Sequence, residues 1–403
     1  MLCRREFLKT GLQTSTLIAL APSVPGFLAQ TARAAQPKRD GRVLVVIQMD
    51  GGNDGINTVV PFKDDGYTRY RKLLRLPAQE LIKVKDGLGL HPALADAGRL
   101  LEDGRLAIIQ GVGYPNPNRS HFESMAIWQS GRLKRDERNG TGWIGRALDG
   151  AAQRSGVPGA VFIGGGQLPE ALRGRRSVAS ALTRTEDLVL APTVRAKPLM
   201  AATPSGNDLA AFIQRNALDA YTAANRMAEV IRSKNDSASY PPFGLADRLR
   251  LLARLIKEDI GARVFYTSQP GYDTHAGQLA SHALLLREWA EALKAFLDDL
   301  AAARVAERVV VLCFSEFGRT VKENGSAGTD HGTAGTIFLA GPGVRPGLVG
   351  ATPKLLDLDE KHGDLKVGID FRQVYATLLE AWLGLAVKPA LGGNFEKLPL
   401  VRA

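Results

Sequence analysis

Cysteine is nearly absent. The chain has two in 403 residues, Cys3 and Cys313, so no disulfide framework can hold a fold of this size. No long uninterrupted apolar run follows residue 40, which excludes a stable membrane span in the body of the chain. Acidic residues are outnumbered, 41 against 52 Lys and Arg, for a formal charge of +11. That excess hints at nucleic acid or an anionic surface. The basic residues are dispersed, however, apart from Arg132-Leu133-Lys134-Arg135 and Arg173-Gly174-Arg175-Arg176, and no recognition motif accompanies them, so nucleic acid is excluded as a partner. What is present is ordinary for a globular protein: 45% hydrophobic and 23% charged residues. This rules out disorder or a coiled coil for the whole chain.

Part of the charge belongs to an N-terminal address. Arg4-Arg5-Glu6-Phe7-Leu8-Lys9 opens the chain, a mildly apolar stretch from Thr10 to Ala29 follows, and Ala32-Arg33-Ala34 ends it. A basic start, a short apolar middle and an Ala-x-Ala end are the parts of an export signal. The paired arginines resemble the twin-arginine type. The reading is a signal peptide over 1–34, export by the twin-arginine translocase and a periplasmic or secreted location. Four cations against Glu6 leave with this segment, so the mature chain of 369 residues carries +8. Cys3 leaves too, so Cys313 stands alone in a segment that reads as a buried strand.

Residues 35–403 read as a single α/β domain with an insertion near 166–205. Val43 to Ile47, Leu106 to Val112, Ala160 to Ile163, Ala262 to Thr267, Val309 to Phe314 and Thr336 to Ala340 are apolar, β-rich runs that suit strands buried on both faces. Between them, Pro92–Leu101, Ser120–Gln129, Asn207–Lys234, Leu245–Ile260, Leu279–Arg304 and Phe371–Leu383 have helical character. Strands alternating with helices predict a mainly parallel sheet with helices on both faces.

In such sheets ligands bind beyond the carboxyl ends of the strands. The polar residues found there are Asp50, Ser120, Asp273, His275 and Glu316, with Asp330 and His331 just before the last strong strand. Mixed carboxylate and imidazole groups suit divalent ions. Each residue also has a plainer reading. Asp50 is either a metal ligand or a turn aspartate, with Gly51 and Gly52 permitting the turn. Ser120-His121-Phe122-Glu123 fits a capping box, and the same position suits a nucleophile at a helix N-terminus. Asp273 and His275, two apart, point to one side of an extended segment. Glu316 and Arg319 are either ligand and oxyanion clamp or a mutual ion pair. His121 is either a site residue or a partner of a surface carboxylate. The roles of Asn53, Asp54 and Asp330 stay open, and His91, His282 and His362 read as structural or exposed.

Taken together, Gln48-Met49-Asp50-Gly51-Gly52-Asn53-Asp54-Gly55, Gly111 to Phe122, Gly271-Tyr272-Asp273-Thr274-His275, Ser315 to Thr320 and Asp330-His331-Gly332 resemble the bacterial family called domain of unknown function 1501. The resemblance spans most of the mature chain. That family is similar to the alkaline phosphatase and sulfatase superfamily, which implies an alkaline phosphatase-like fold with a metal-dependent hydrolase site at the sheet rim. The resemblance implies Asp50, Asp273, His275, Glu316 and His331 as metal ligands and Ser120 as nucleophile, with Arg319 less certainly aligned. The implied cofactor is a divalent ion, zinc first, then manganese, magnesium, calcium or iron. The chain departs from the superfamily pattern: Ser315-Glu316 stands where an Asp-His pair is usual, and the 273-to-275 step is short. Two functions follow. One is an exported hydrolase of small anionic phosphate or sulfate esters. The other is a non-catalytic envelope protein that keeps the fold to bind or assemble a glycan, a phosphate or another partner.

Overall fold

The computed structural model describes residues 41–85, 87–151, 157–182, 222–231 and 238–402. The expected export signal over 1–34, most of the expected insertion near 166–205 and both ends of the expected 207–234 helix lie outside the described residues.

Among the described residues, a nine-stranded sheet forms the centre. Its strands are β1 (Val43–Asp50), β5 (Leu106–Gly113), β6 (Ala160–Ile163), β7 (Ala179–Leu182), β8 (Val264–Pro270), β9 (Val309–Phe314), β12 (Gly335–Ala340), β13 (Gly347–Val349) and β14 (Ile369–Asp370). The missing numbers are small pieces outside it: β2 (Val59–Val60), β3 (Ile82–Lys85) and β4 (Leu88–Leu90) form one short sheet, and β10 (Arg319–Glu323) and β11 (Thr329–His331) form a ribbon. The large sheet runs β13-β5-β12-β9-β1-β8-β6-β7, with β14 beside β5. Every pairing in it is parallel except those of β12, which is antiparallel to both neighbours, β5 and β9. The expected α/β class and mainly parallel sheet are therefore present. The reversed strand was not foreseen, because an apolar run buried on both faces carries no sign of its direction.

The continuous apolar runs are explained by two cores. Along β1, Val43, Val45, Ile47 and Met49 face one side, with Leu286, Trp289 and Leu252. Leu44 and Val46 face the other, with Trp128, Trp143 and Tyr375. Strand side chains alternate between faces, so a strand covered on both sides must be apolar throughout. The helices on the first side are α1 (Ala95–Glu102), α4 (Gly244–Lys257) and α5 (Gln278–Ala302). On the second are α2 (His121–Ser130), α3 (Trp143–Asp149) and α6 (Phe371–Thr377), the last continuing as a π-helical turn, Leu378–Trp382. Cys313 is buried in β9 and free; burial pushes its thiol up to about 12. No described helix is long and apolar enough to cross a membrane.

Candidate metal centre

Register levels the ends of three adjacent strands. Asp50 of β1 lies opposite Pro270 of β8, and Gln48 opposite Phe314 of β9. The loops beginning at Gly51, Gly271 and Ser315 therefore leave the sheet side by side. Gly51 has φ +118°, and a Cβ there would stand 2.3 Å from the Asp273 backbone nitrogen. Gly52 has φ +81°, and its Cβ would strike the Phe317 ring at 2.5 Å. Only glycine adopts these conformations freely and permits such contact. The two glycines let the β1 turn pack between the loops after β8 and β9.

Helix α2 brings the fourth part. Its Trp128 stacks on Phe371 at 4.4 Å and on Phe314 at 5.2 Å. Its Ser124 hydroxyl donates to the Glu316 carbonyl at 2.6 Å. The helix is thereby fixed against the end of β9, and His121 at its first turn reaches the site. The fifth part is the β10–β11 ribbon, where Arg319 pairs with His331.

One ligand atom each from His121, Asp273 and His331 lie within 4.8 Å of one another, a grouping that can hold a metal ion. Asp273 Oδ1 is 3.4 Å from His121 Nε2, 3.2 Å from His331 Nε2 and 3.0 Å from His275 Nε2. The far nitrogens of the three imidazoles are all engaged. His121 Nδ1 is 2.7 Å from Glu316 Oε1, His331 Nδ1 is 2.7 Å from the Arg119 carbonyl, and His275 Nδ1 is 3.1 Å from Asp330 Oδ1. Carboxylates and carbonyls only accept, so each Nδ1 donates and each ring presents Nε2 to the group, where the neutral tautomer would offer a lone pair.

These donors fit a divalent cation. His121 Nε2 is buried without a hydrogen bond among the described residues. His275 Nε2 and His331 Nε2 face each other at 2.9 Å, and both lie within 3.2 Å of Asp273 Oδ1. A tetrahedral ion bound at roughly 2.0–2.1 Å sets donor spacings of about 3.3 Å, near the distances around Asp273. Imidazole and carboxylate donors suit zinc, manganese or iron.

For Asp273, burial raises the carboxyl, but the hydrogen bond and charge of Arg319 outweigh it and hold the group at about 2. His121 is raised, chiefly by its bond to Glu316. Burial lowers His331.

Not every expected residue joins the group. Glu316 is 2% exposed. Its carboxylate accepts from the Gly51 and Gly52 amides at 3.0 and 3.2 Å, from the Ser315 hydroxyl at 3.1 Å and from His121. It stands behind His121 and does not belong to the ring of donors. Arg319, expected as a clamp for substrate charge, is buried and its guanidinium is turned inward. Its guanidinium donates to the carbonyls of Gly51, Gly52, Tyr272 and Thr329 and to Asp273. Neither does it pair with Glu316. Asp50 is held by Gln48 at the edge of the cavity, and burial raises its carboxyl to about 6.

Ser120 occupies the N-cap position of α2 and is exposed, but its side chain makes no cap bond. The expected capping box does not form, because Glu123 pairs with Arg138. His121, whose role the sequence left open, is central. Its signal was the same SHFE tetrapeptide, which a capping box explained without it. Asp330 orients His275. Asn53 and Asp54 lie beneath the site: Asp54 pairs with buried Arg71, and Asn53 accepts from His282 at 2.9 Å.

Beside the group opens a cavity of about 510 Å³, lined by Asp50, Gly51, His121, Phe122, Met125, Ala126, Gln129, Glu170, Asp273 and Glu316.

No curated protein matches the chain. Among solved structures it is similar to Ps i-CgsB in complex with k-i-k-neocarrahexaose, at 8% identity over 89% of this chain and 75% of that one, TM-score 0.42. It is also similar to the zinc complex of the C-terminal periplasmic domain of EcEptC from Escherichia coli, at 9% identity over 89% and 92%, TM-score 0.37. A third is the alkaline phosphatase of the Antarctic bacterium TAB5, at 13% identity over 75% and 92%, TM-score 0.29. The pattern of the family described as "Protein of unknown function (DUF1501)" matches residues 41–389, and the chain belongs to that family.

Proposed function

We propose that this protein is an exported, metal-dependent hydrolase of phosphate or sulfate esters. One observation carries the reading: three imidazoles, each with Nδ1 tied to an acceptor, turn Nε2 toward a single carboxylate oxygen, Asp273 Oδ1. His121, Asp273 and His331 would hold the ion, with His275 beside them. Zinc suits this donor set best. Such an ion, when bound, supplies positive charge to the ester's oxygens and favours an ionised nucleophile. Glu316 fixes the ring plane of His121. Arg319 fixes Asp273 and the glycine turn. Ser120, exposed beside His121 at the positive end of α2, supplies the attacking oxygen in this reading. Asp50 stands at the cavity edge with the protonation range of a proton donor near neutral pH. The Arg4-Arg5 leader assigns export to the twin-arginine translocase and the site of action to the periplasm or the medium.

The test joins metal analysis of the purified protein to a panel of phosphate and sulfate esters. Bound zinc or another divalent ion, with turnover lost in Asp273→Asn, supports the reading. Turnover unchanged in Ser120→Ala removes that residue as nucleophile. A second reading is favoured by the lining of the cavity, which includes Asp50, Glu170, Asp273 and Glu316 but no Lys or Arg. A site so poor in cations could bind metal and an envelope partner without turnover; bound metal with no hydrolysis across the panel would select it.

A further inference from the structure

We infer that the cavity beside the metal centre is a recognition subsite for an uncharged apolar group of the ester, aryl or acyl in kind, with Phe122 as its platform. The inference rests on the ester-hydrolase reading above. Phe122 is 91% exposed, whereas the other exposed large hydrophobic residues described range from 39% to 59%. A phenyl ring left in water is ordinary when isolated, but this one is not isolated. It follows His121 directly, and Phe122, Met125, Ala126 and Gln129 all line the same cavity. Their spacing of three, four and seven residues makes one stripe along a helix.

The stripe is not a leftover of packing. The opposite face of α2 is already filled: Ile127 and Trp128 are buried in the core, and Ser124 is bonded to Tyr114 and to Glu316. The helix is thus held rigidly with its apolar face toward the cavity. The charge of the lining fixes what kind of group enters. No Lys or Arg is among the lining residues, while Asp50 and Glu170 are. An anion over Asp50 and Glu170 would meet carboxylates, and the lining imidazole, His121, is part of the metal group, so the ester's negative charge belongs at the His121–Asp273–His331 group. The part of the molecule that lies over Phe122 and Met125 is neutral and apolar.

The experiment compares two non-hydrolysed probes on the full-length, zinc-loaded protein by calorimetry: inorganic phosphate and phenylphosphonate. The wild type is expected to bind phenylphosphonate more tightly than phosphate. Phe122→Ala is expected to weaken phenylphosphonate roughly tenfold and to leave phosphate affinity, zinc content and thermal midpoint unchanged, because the ring is exposed. Equal binding of the two probes by the wild type, or an equal loss of both in the variant, overturns the subsite and leaves the hydrolase reading standing. Binding of neither probe overturns both.

Discussion

An imidazole can offer a cation one nitrogen while the other is held by an acceptor, and the acceptor then sets the ring's orientation and basicity. His121 shows this with Glu316, His331 with the Arg119 carbonyl and His275 with Asp330. The residues proposed to hold an ion are therefore distinct from those that aim them. Glu316→Gln should weaken zinc binding roughly 10–100-fold while the protein stays folded, and Asp273→Asn should weaken it further; competition against a coloured chelator measures both. Equal zinc affinity in wild type and Glu316→Gln would remove the aiming role. The positions of Asp273, His275, Glu316, Arg319 and His331 were legible in the sequence because each adjoins a strand end or the last strong strand. Their division of labour was not. Whether Glu316 meets a metal or His121, and whether Arg319 faces substrate or four carbonyls, depends on loops far apart in the chain meeting in space.

At the scale of elements, the site rests on a buried polar layer. Gln278, the first residue of α5, donates to Asp54 Oδ2 at 2.5 Å and accepts from the Thr274 and Thr329 hydroxyls at 3.0 and 2.6 Å. Thr274 lies between Asp273 and His275, and Thr329 precedes Asp330-His331. One side chain thus ties the β8 loop to the ribbon. Gln278→Leu should destabilise the protein by about 1–3 kcal/mol, since buried polar partners lose their bonds, and should weaken zinc binding as well; denaturant melts with and without zinc check it.

The same layer sets a pH response. Burial lowers His91 and His282 to about 4, from an ordinary value of 6.5. Both are held neutral in the fold, so their contribution is complete above about 6.5 and is lost as pH falls from there toward 4. Burial raises Asp54, but Arg71 outweighs it and holds the group at about 2, which adds a further loss below its ordinary 3.8. Asp364 acts in the opposite direction: burial pushes it up to about 6, so its contribution fades as pH rises through 6. Asp50, also raised to about 6, acts with Asp364, so the two carboxyls oppose the two imidazoles over the same range. His282→Gln removes one imidazole and should shift the slope of stability between pH 6.5 and 4 toward greater stability at the acid end, and an unchanged slope would contradict it. The strands and helices of this scale were largely legible, Val309–Phe314 to the residue. The reversed β12 and the short β10–β11 ribbon were not, because direction and pairing arise from where a run sits among its neighbours.

For the whole molecule, the formal charge is +11, of which +3 lies in residues 1–34, proposed as an export leader, while the charged residues lining the cavity beside the candidate centre, besides His121, are the carboxylates Asp50, Glu170, Asp273 and Glu316. The general charge and the local charge thus have opposite signs, and a cation bound at His121, Asp273 and His331 would make the centre fit for the anionic end of an ester. Replacing Arg4 and Arg5 by Lys should retain the protein in the cytoplasm, which fractionation would show. The central claim is the metal centre itself. Crystals of the zinc-loaded protein, measured on both sides of the zinc absorption edge, test it most directly. An anomalous peak bonded to His121 Nε2, His331 Nε2 and Asp273 is expected; no peak there at saturating zinc, or a peak bonded to other residues, would rule the centre out.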